Sequence, residues 1–202
     1  MLQRYQLSLL LLAAGPAAAQ AQAPAPPAYL PPTSFKGGSY QLKTGDWKRA
    51  KLLYDAQTLS VSDATHKPQY ALVYPADSVR AFAIGRDTFA VAREVDIPRP
   101  SQHLRTLFVR QLYRQGGFQV AEYVAVMPAS QPPVVYTLLT QASQVRAVLP
   151  PNNTQFRLAL AKVLSDYQAL SQQLELDVNI LPEQLPELLT AYGRWKAGSG
   201  QK

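Results

Sequence analysis

The chain has 202 residues, with 20 Lys and Arg against 13 Asp and Glu, so its formal net charge at pH 7 is +7. Hydrophobic residues make up 47% of it, which is enough for one globular domain with an ordinary core. Cysteine is absent, and this excludes disulfides, thiolate zinc sites, cysteine nucleophiles and a lipidated cysteine. The positive charge is compatible with an acidic partner. Because Lys and Arg form no dense run along the sequence, we interpret it as a contribution to solubility.

Residues 1–23 have the pattern of a secretory signal peptide. Arg4 supplies the positive start, residues 7–14 are an apolar run too short to cross a bilayer, and Ala-x-Ala cleavage sites follow at residues 17–23. An uncleaved anchor is the alternative. We expect an exported protein that is periplasmic, outer-membrane-associated or secreted, with no transmembrane segment in the mature chain.

Residues 24–36 are predicted to be a proline-rich linker. Proline fixes φ and cannot donate a backbone hydrogen bond, so this segment is expected to be an extended spacer or a disordered lead-in. A proline-rich ligand for another domain is the alternative.

Residues 106–126 form the predicted centre of the fold. Two strand-like runs flank Gly116 and Gly117, and adjacent glycines suit the tight turn of a hairpin. Alternation places Arg110, Arg114 and Gln119 on one face, and it requires a partner or an edge position for Glu122. The opposite, apolar face is predicted to carry Leu107, Val109, Tyr113, Phe118, Val120, Val124 and Val126.

Residues 37–149, the predicted β-rich part, contain about nine short strands separated by turn signals. This pattern predicts an antiparallel sheet curled into a barrel or a sandwich. Besides the central hairpin, the predicted strands are residues 39–42, 47–54, 59–62, 69–74, 81–84, 88–95, 134–139 and 144–149.

Residues 150–196 are the predicted helical part of the same domain, and residues 197–202 a disordered tail. Asn152 or Asn153 can cap a helix, and apolar residues from Phe156 to Leu174 recur at helical spacing. A further helix is predicted at residues 182–195. Apolar helix faces need covering, so the fold class is α+β, with two or three C-terminal amphipathic helices packed on the sheet or on each other.

The order of several short motifs resembles a family of exported proteins common in the Bacteroidetes. The motifs lie between residues 37 and 195, behind a signal peptide. The resemblance implies export from a Gram-negative cell, and it implies no reaction, cofactor or catalytic residue because the function of that family is uncharacterised. The matching motifs are Gly45-Asp46, Tyr74-Pro75-Ala76-Asp77, the strand-Gly-strand segment 108–123, and Tyr192-Gly193-Arg194-Trp195.

Histidine supplies most catalytic bases, and the chain contains only His66 and His103, both predicted to lie in solvated loops. Asp96, Ser101 and His103 have the residue types of a hydrolase triad. However, the three fall in one proline-broken stretch that lacks a glycine-flanked nucleophile elbow. We therefore predict no catalytic triad.

Paired carboxylates are the remaining route to an enzyme, since two of them can hydrolyse a glycosidic bond. The candidates Asp77, Asp87, Glu94 and Glu122 are scattered along the sequence, and spacing alone does not bring two of them together. No phosphate loop, dinucleotide fingerprint or calcium loop is present. We predict no catalytic residue, no metal site and no cofactor.

Arginines give the one further binding signal. Arg110 and Arg114, with Tyr123, are the candidate binding residues for a phosphate or carboxylate group. The alternative is a solvated face that resists edge-to-edge aggregation.

The predicted function is an exported, non-catalytic interaction or accessory module of the bacterial cell envelope. Its expected partner is an envelope protein, an anionic lipid or a glycan, and not nucleic acid, because the leader directs the chain away from it. Two alternatives stay open: a carboxylate-based hydrolase acting on envelope glycan, and an anion-binding protein using the arginine face.

Overall fold

The computed structural model describes residues 31–99, 101–127, 131–142 and 144–199. The predicted signal peptide and linker residues 24–30 lie outside this part of the chain. The described residues form a β-rich domain with three C-terminal α-helices, which confirms the α+β class. The strands are β1 Lys36–Leu42, β2 Lys48–Tyr54, β3 Thr58–Ser62, β4 Leu72–Pro75, β5 Val79–Ile84, β6 Asp87–Ile97, β7 Gln102–Gln115, β8 Phe118–Ala125, β9 Val134–Gln141 and β10 Gln144–Leu149. The helices are α1 Asn153–Val163, α2 Gln168–Leu176 and α3 Leu185–Ser199, with 3₁₀ turns at Pro68–Tyr70, Ala76–Ser78 and Pro182–Gln184.

One sheet contains all ten of these strands, in the order β10-β9-β8-β7-β6-β5-β1-β2-β3-β4. A second pairing of β10 with β6, between Gln144 and Arg93, closes strands β6–β10 into a five-stranded barrel. The remaining strands continue the sheet from β6 as an extension. Of the two predicted forms, a barrel or a sandwich, the structure shows a closed barrel with extra strands. The closing contact is parallel, whereas the other pairings are antiparallel.

The side chains of β6 change face near the point where β6 pairs with β10 and the barrel closes. Ala92 and Val95 both belong to the barrel interior although an odd spacing separates them, because Glu94 between them has a φ of 50°. On β7, Leu104 and Leu107 show the same offset, so the register between the strands is kept. A local irregularity of this kind bends a strand and helps a small barrel to close.

Three apolar clusters make up the core. The barrel-interior cluster includes Leu107, Tyr136 and Leu138. The aromatic cluster lies between the extension and strands β6 and β7, where the rings of Phe82 on β5 and Phe89 on β6 stack with centroids 4.6 Å apart. The helix-covered cluster lies between the helices and strands β8–β10. The predicted apolar face of the hairpin is thus divided, because Leu107 and Val109 enter the barrel interior while Tyr113, Phe118 and Val120 meet the helices.

Helices α1 and α2 are two separate elements rather than one run. The Asn152 side chain accepts a hydrogen bond from the Gln155 amide at 3.1 Å, which confirms the first of the two predicted caps. Arg157 of α1 is buried, and its Nη1 donates to the carbonyl oxygens of Leu174 at 3.0 Å and Glu175 at 3.3 Å. A cation at these carbonyls stabilises the C-terminal end of α2.

Helix α3 packs directly on the turn of the central hairpin. Gly116 has a φ of 59°, and a methyl group there would collide with the carbonyl oxygen of Leu189. Across the contact, a Cβ added at Gly193 would lie 3.0 Å from the Gly116 Cα. The helix continues to Ser199, so the predicted tail is wrong for residues 197–199, while residues 200–202 lie outside the described part.

Candidate functional site

The two candidate arginines lie on opposite faces of the sheet. Arg110 pairs with Glu122 and Arg114 with Gln119, and the register shifts between Gln111 and Tyr113. Glu122 and Gln119 are three residues apart on a regular strand, so their side chains point to opposite faces. The prediction that Arg110 and Arg114 share a face is wrong, because one extra residue in a strand reverses the alternation that follows it.

Arg110 belongs to a buried ion-pair cluster. Its side chain is 9% exposed, and Nη2 donates to the two carboxylate oxygens of Glu122 at 3.0 and 3.1 Å. Nη1 donates to Asp87 Oδ1 at 3.3 Å. Of the two alternatives predicted for Glu122, a partner or an edge position, the structure shows the partner. Because two carboxylates already balance the guanidinium, Arg110 has little charge to offer an external anion.

Tyr123 lies beside this cluster. Together with Arg110 and Glu122 it lines a groove of about 380 Å³, whose other walls include the rings of Tyr54 and Phe108. Burial raises the pKa of Tyr123 above its usual value, so its hydroxyl stays protonated at neutral pH. The structure thus brings two of the three candidate residues together and leaves Arg114 elsewhere.

Arg114 lies at the open end of the barrel. It lines a cavity there, which we call the barrel-mouth cavity. The volume of this cavity is about 650 Å³. Its rim is polar and its base is built from small apolar residues. The rim residues are Gln111, Arg114, Gln119, Thr140 and Gln141, and the base residues are Ala90, Ala92, Val109 and Ala121.

The cavity exists because β6 and β8 place alanines at this end of the barrel. A five-stranded barrel is narrow, and its interior is normally filled by side chains. Farther along β6, Val95 and Ile97 fill the interior as larger residues, whereas Ala90 and Ala92 leave space at the mouth. This change from large to small side chains along one strand produces an opening without a break in the sheet.

A hydrogen-bond network fixes the polar rim. Arg114 Nε donates to Gln119 Oε1 at 2.8 Å, and Gln119 Nε2 donates to the carbonyl oxygens of Tyr113 at 3.0 Å and Val120 at 3.1 Å. Thr140 Oγ1 donates to the Gln119 carbonyl at 3.3 Å. Gln119 therefore holds the guanidinium through Nε. Within the described part of the chain, Arg114 forms no ion pair.

His103 on β7 lies between two carboxylates of the adjacent strand β6. Its Nδ1 is 2.7 Å from Asp96 Oδ1 and its Nε2 is 2.9 Å from Glu94 Oε2. These hydrogen bonds, first to Asp96 and then to Glu94, raise the pKa of His103 above its usual value. The prediction of one loop holding Asp96, Ser101 and His103 is wrong, because β6 reaches Ile97 and β7 starts at Gln102.

The same geometry leaves no imidazole nitrogen of His103 to activate Ser101, since both are engaged by carboxylates. His66 does lie in a loop, as predicted, with Nδ1 3.1 Å from Asp63 Oδ1. Among the described residues, no group of three or more His, Asp or Glu is arranged to hold a metal ion.

The four candidate carboxylates do not form an acid–base pair. Asp87 and Glu122 converge, but the Arg110 guanidinium binds both of them. Glu94 binds His103, and Asp77 is an exposed residue of a 3₁₀ turn. A glycosidase needs one carboxyl as acid and another as base or nucleophile.

None of the helices in the described ranges is long and apolar enough to cross a bilayer.

Sequence reasoning missed most of the barrel-mouth cavity. Among the rim residues, only Arg114 was identified from the sequence as a candidate binding residue. Gln119 was identified only as a residue on the same predicted strand face. Alanines at alternate positions, Ala90 and Ala92 on one strand and Ala121 on another, were the available signal.

Comparison of the chain with protein-family models, with curated proteins and with solved structures finds no match in any of the three.

Proposed function

We propose that the protein is an exported, non-catalytic binding module of the bacterial cell envelope whose ligand site is the barrel-mouth cavity. The observation that carries this proposal is the volume of about 650 Å³ at the barrel end, with an apolar base and a polar rim. Cavities of this size and lining are typical of small-ligand sites. Export is supported by the signal-peptide pattern and by the resemblance to exported Bacteroidetes proteins.

The rim chemistry favours an acidic glycan fragment as the ligand. The amides of Gln111 and Gln141 can donate to and accept from the vicinal hydroxyls of a sugar. The guanidinium of Arg114 keeps its outer nitrogens for a carboxylate, because Gln119 takes only Nε. The apolar base suits the less polar face of a sugar ring.

A binding role fits the site better than hydrolysis. A hydrolase would need carboxylates that are available to a substrate in a cleft. Here Asp87 and Glu122 are neutralised by Arg110, and Glu94 and Asp96 hold His103. The rim of the barrel-mouth cavity supplies amides, a hydroxyl and one guanidinium, which recognise polar groups without supplying an acid and a base.

The test is co-sedimentation of the chain from Ala25 onward with isolated cell envelopes over a series of salt concentrations. We expect binding that weakens as salt screens the Arg114 charge. Arg114→Gln is expected to reduce binding at low salt, and Ala90→Leu, which fills the cavity without changing charge, to abolish it.

Arg80→Gln is the matched control, since Arg80 is an exposed residue of β5 that lies outside the cavity lining. It removes the same charge and should leave binding close to that of the unaltered protein. Circular dichroism is used to check that each variant is folded. If Ala90→Leu and Arg114→Gln sediment like Arg80→Gln, the barrel-mouth cavity is not the site.

A further inference from the structure

A second cavity, which we call the basic groove, lies between β10, α1 and α3. Its volume is about 500 Å³. None of the charged residues that line it also lines the barrel-mouth cavity. Each of the three elements contributes one cation. The residues that matter are Arg146 from β10, Lys162 from α1, and Tyr192 and Lys196 from α3.

Positive charge is in excess at this groove. Asp166 is the acidic neighbour, with its carboxylate 3.9 Å from Lys196 Nζ and 2.8 Å from the Tyr192 hydroxyl that donates to it. Arg146 and Lys162 are exposed, and neither forms an ion pair within the described part of the chain. Three cations therefore face one carboxylate, which leaves two of them for an external anion.

The third cation is held in place. Lys196 Nζ donates to the Tyr192 hydroxyl at 3.1 Å, and this hydrogen bond raises the pKa of Lys196, so the ammonium stays charged at neutral pH. The Tyr192 ring is buried and lies against Phe118, with ring centroids 5.8 Å apart. The hydroxyl and ammonium are thus presented by a packed helix rather than by a loop.

We propose that the basic groove binds a phosphate ester. A phosphate carries up to two negative charges on a compact set of oxygens, which matches two or three separate cations better than a single carboxylate does. The groove is larger than a phosphate group, and apolar residues such as Val148 and Val163 also line it. The remaining space accommodates the organic part of the ester. This inference is independent of the proposed ligand of the barrel mouth.

The phosphate group can belong to a small soluble ester or to a phospholipid headgroup, and the experiment separates the two sources. The chain from Ala25 onward, which lacks the predicted signal peptide, is titrated with glycerol 3-phosphate while backbone amide NMR signals are followed. In parallel it is floated with vesicles of phosphatidylglycerol or of phosphatidylcholine. We expect saturable shifts at Ala147 and Val163, which line the groove.

Arg146→Gln and Lys162→Gln should each weaken ester binding about five-fold, the effect of losing one charge contact near a surface. Lys48→Gln on β2 removes the same charge away from the groove and serves as the control. Ester binding without flotation supports a soluble ligand. Flotation with phosphatidylglycerol alone, reduced by the groove variants, supports a headgroup.

The proposal is overturned if glycerol 3-phosphate shifts no groove amide and the groove variants float like Lys48→Gln. It is also overturned if all three variants weaken ester binding equally, because net charge alone would then explain the effect. Arg114→Gln should leave ester binding unchanged, so a failure of the basic groove can be told apart from a failure of the barrel-mouth site.

Discussion

The aromatic cluster and the barrel mouth are packed in opposite ways. In the aromatic cluster, where the extension meets β6 and β7, large rings close the space: Phe82 stacks on Phe89, and Phe108 meets Phe82 edge-on with centroids 4.9 Å apart. In the barrel, Ala90, Ala92 and Ala121 leave the mouth open beneath a polar rim. Close packing is the normal state of a protein interior. The difference indicates that the aromatic cluster provides stability, whereas the loosely packed barrel mouth is the proposed ligand site.

The largest expected effect concerns this difference in filling. Phe82→Ala should lower the free energy of unfolding by about 3–5 kcal/mol, because it removes a fully buried ring and leaves a cavity. Ala90→Leu adds a side chain where space already exists, so it should change stability by less than about 1.5 kcal/mol. Urea denaturation followed by circular dichroism measures both. Equal losses for the two variants would remove the contrast between the regions.

The two arginines of the hairpin give the next comparison. Arg110→Met leaves Asp87 and Glu122 without the guanidinium and should cost about 3 kcal/mol or more of unfolding free energy. Arg114→Met affects an exposed side chain and should cost no more than about 0.5 kcal/mol. Adding Glu122→Leu to Arg110→Met should recover part of the loss. No recovery would mean that the ion pair is not the source of the cost.

The hairpin turn tests how α3 is attached to the barrel. Gly116→Ala should cost about 2–3 kcal/mol, since it combines positive φ with a collision against α3. Gly117 also has positive φ, at 85°, but its added Cβ would meet nothing within 4 Å. Gly117→Ala should therefore cost only the backbone strain, about 1 kcal/mol. If the two variants are equally stable in urea, the close approach of α3 contributes nothing.

The smallest effect is the titration of His103. Its pKa is raised in the folded protein from 6.5, so its contribution to stability is complete below about pH 6.5 and is lost as pH rises through the folded pKa. Glu94→Gln combined with Asp96→Asn should bring the pKa down again. NMR titration in a His66→Gln background follows this one imidazole. An unchanged pKa in the double variant would show that the carboxylates do not cause the shift.

Local signals predicted most of the strands, the hairpin turn at Gly116 and Gly117, the Asn152 cap, and a partner or an edge position for Glu122. The register shift near Leu112 was not predictable, because no glycine or proline marks it and the alternation reads through it. Because β7 has one extra residue at this shift, the alternation pattern predicted the wrong face for Arg114.

Long-range contacts escaped sequence reasoning for a different physical reason. Closure of the barrel depends on β10 meeting β6, about 50 residues away along the chain. The basic groove likewise joins Arg146, Lys162 and Lys196, which are far apart in sequence and come together only when α1 and α3 pack against the barrel. Each residue alone has the pattern of an ordinary solvated charge.

The most direct test of the account is NMR mapping of the chain with fragments of acidic envelope glycan added to saturation. If the barrel mouth is the ligand site, amide shifts concentrate there, at Gln119, Ala121 and Thr140, and Ala90→Leu abolishes them. Shifts confined to the groove beside Arg110, at Tyr54 and Tyr123, and unchanged in Ala90→Leu, would contradict it.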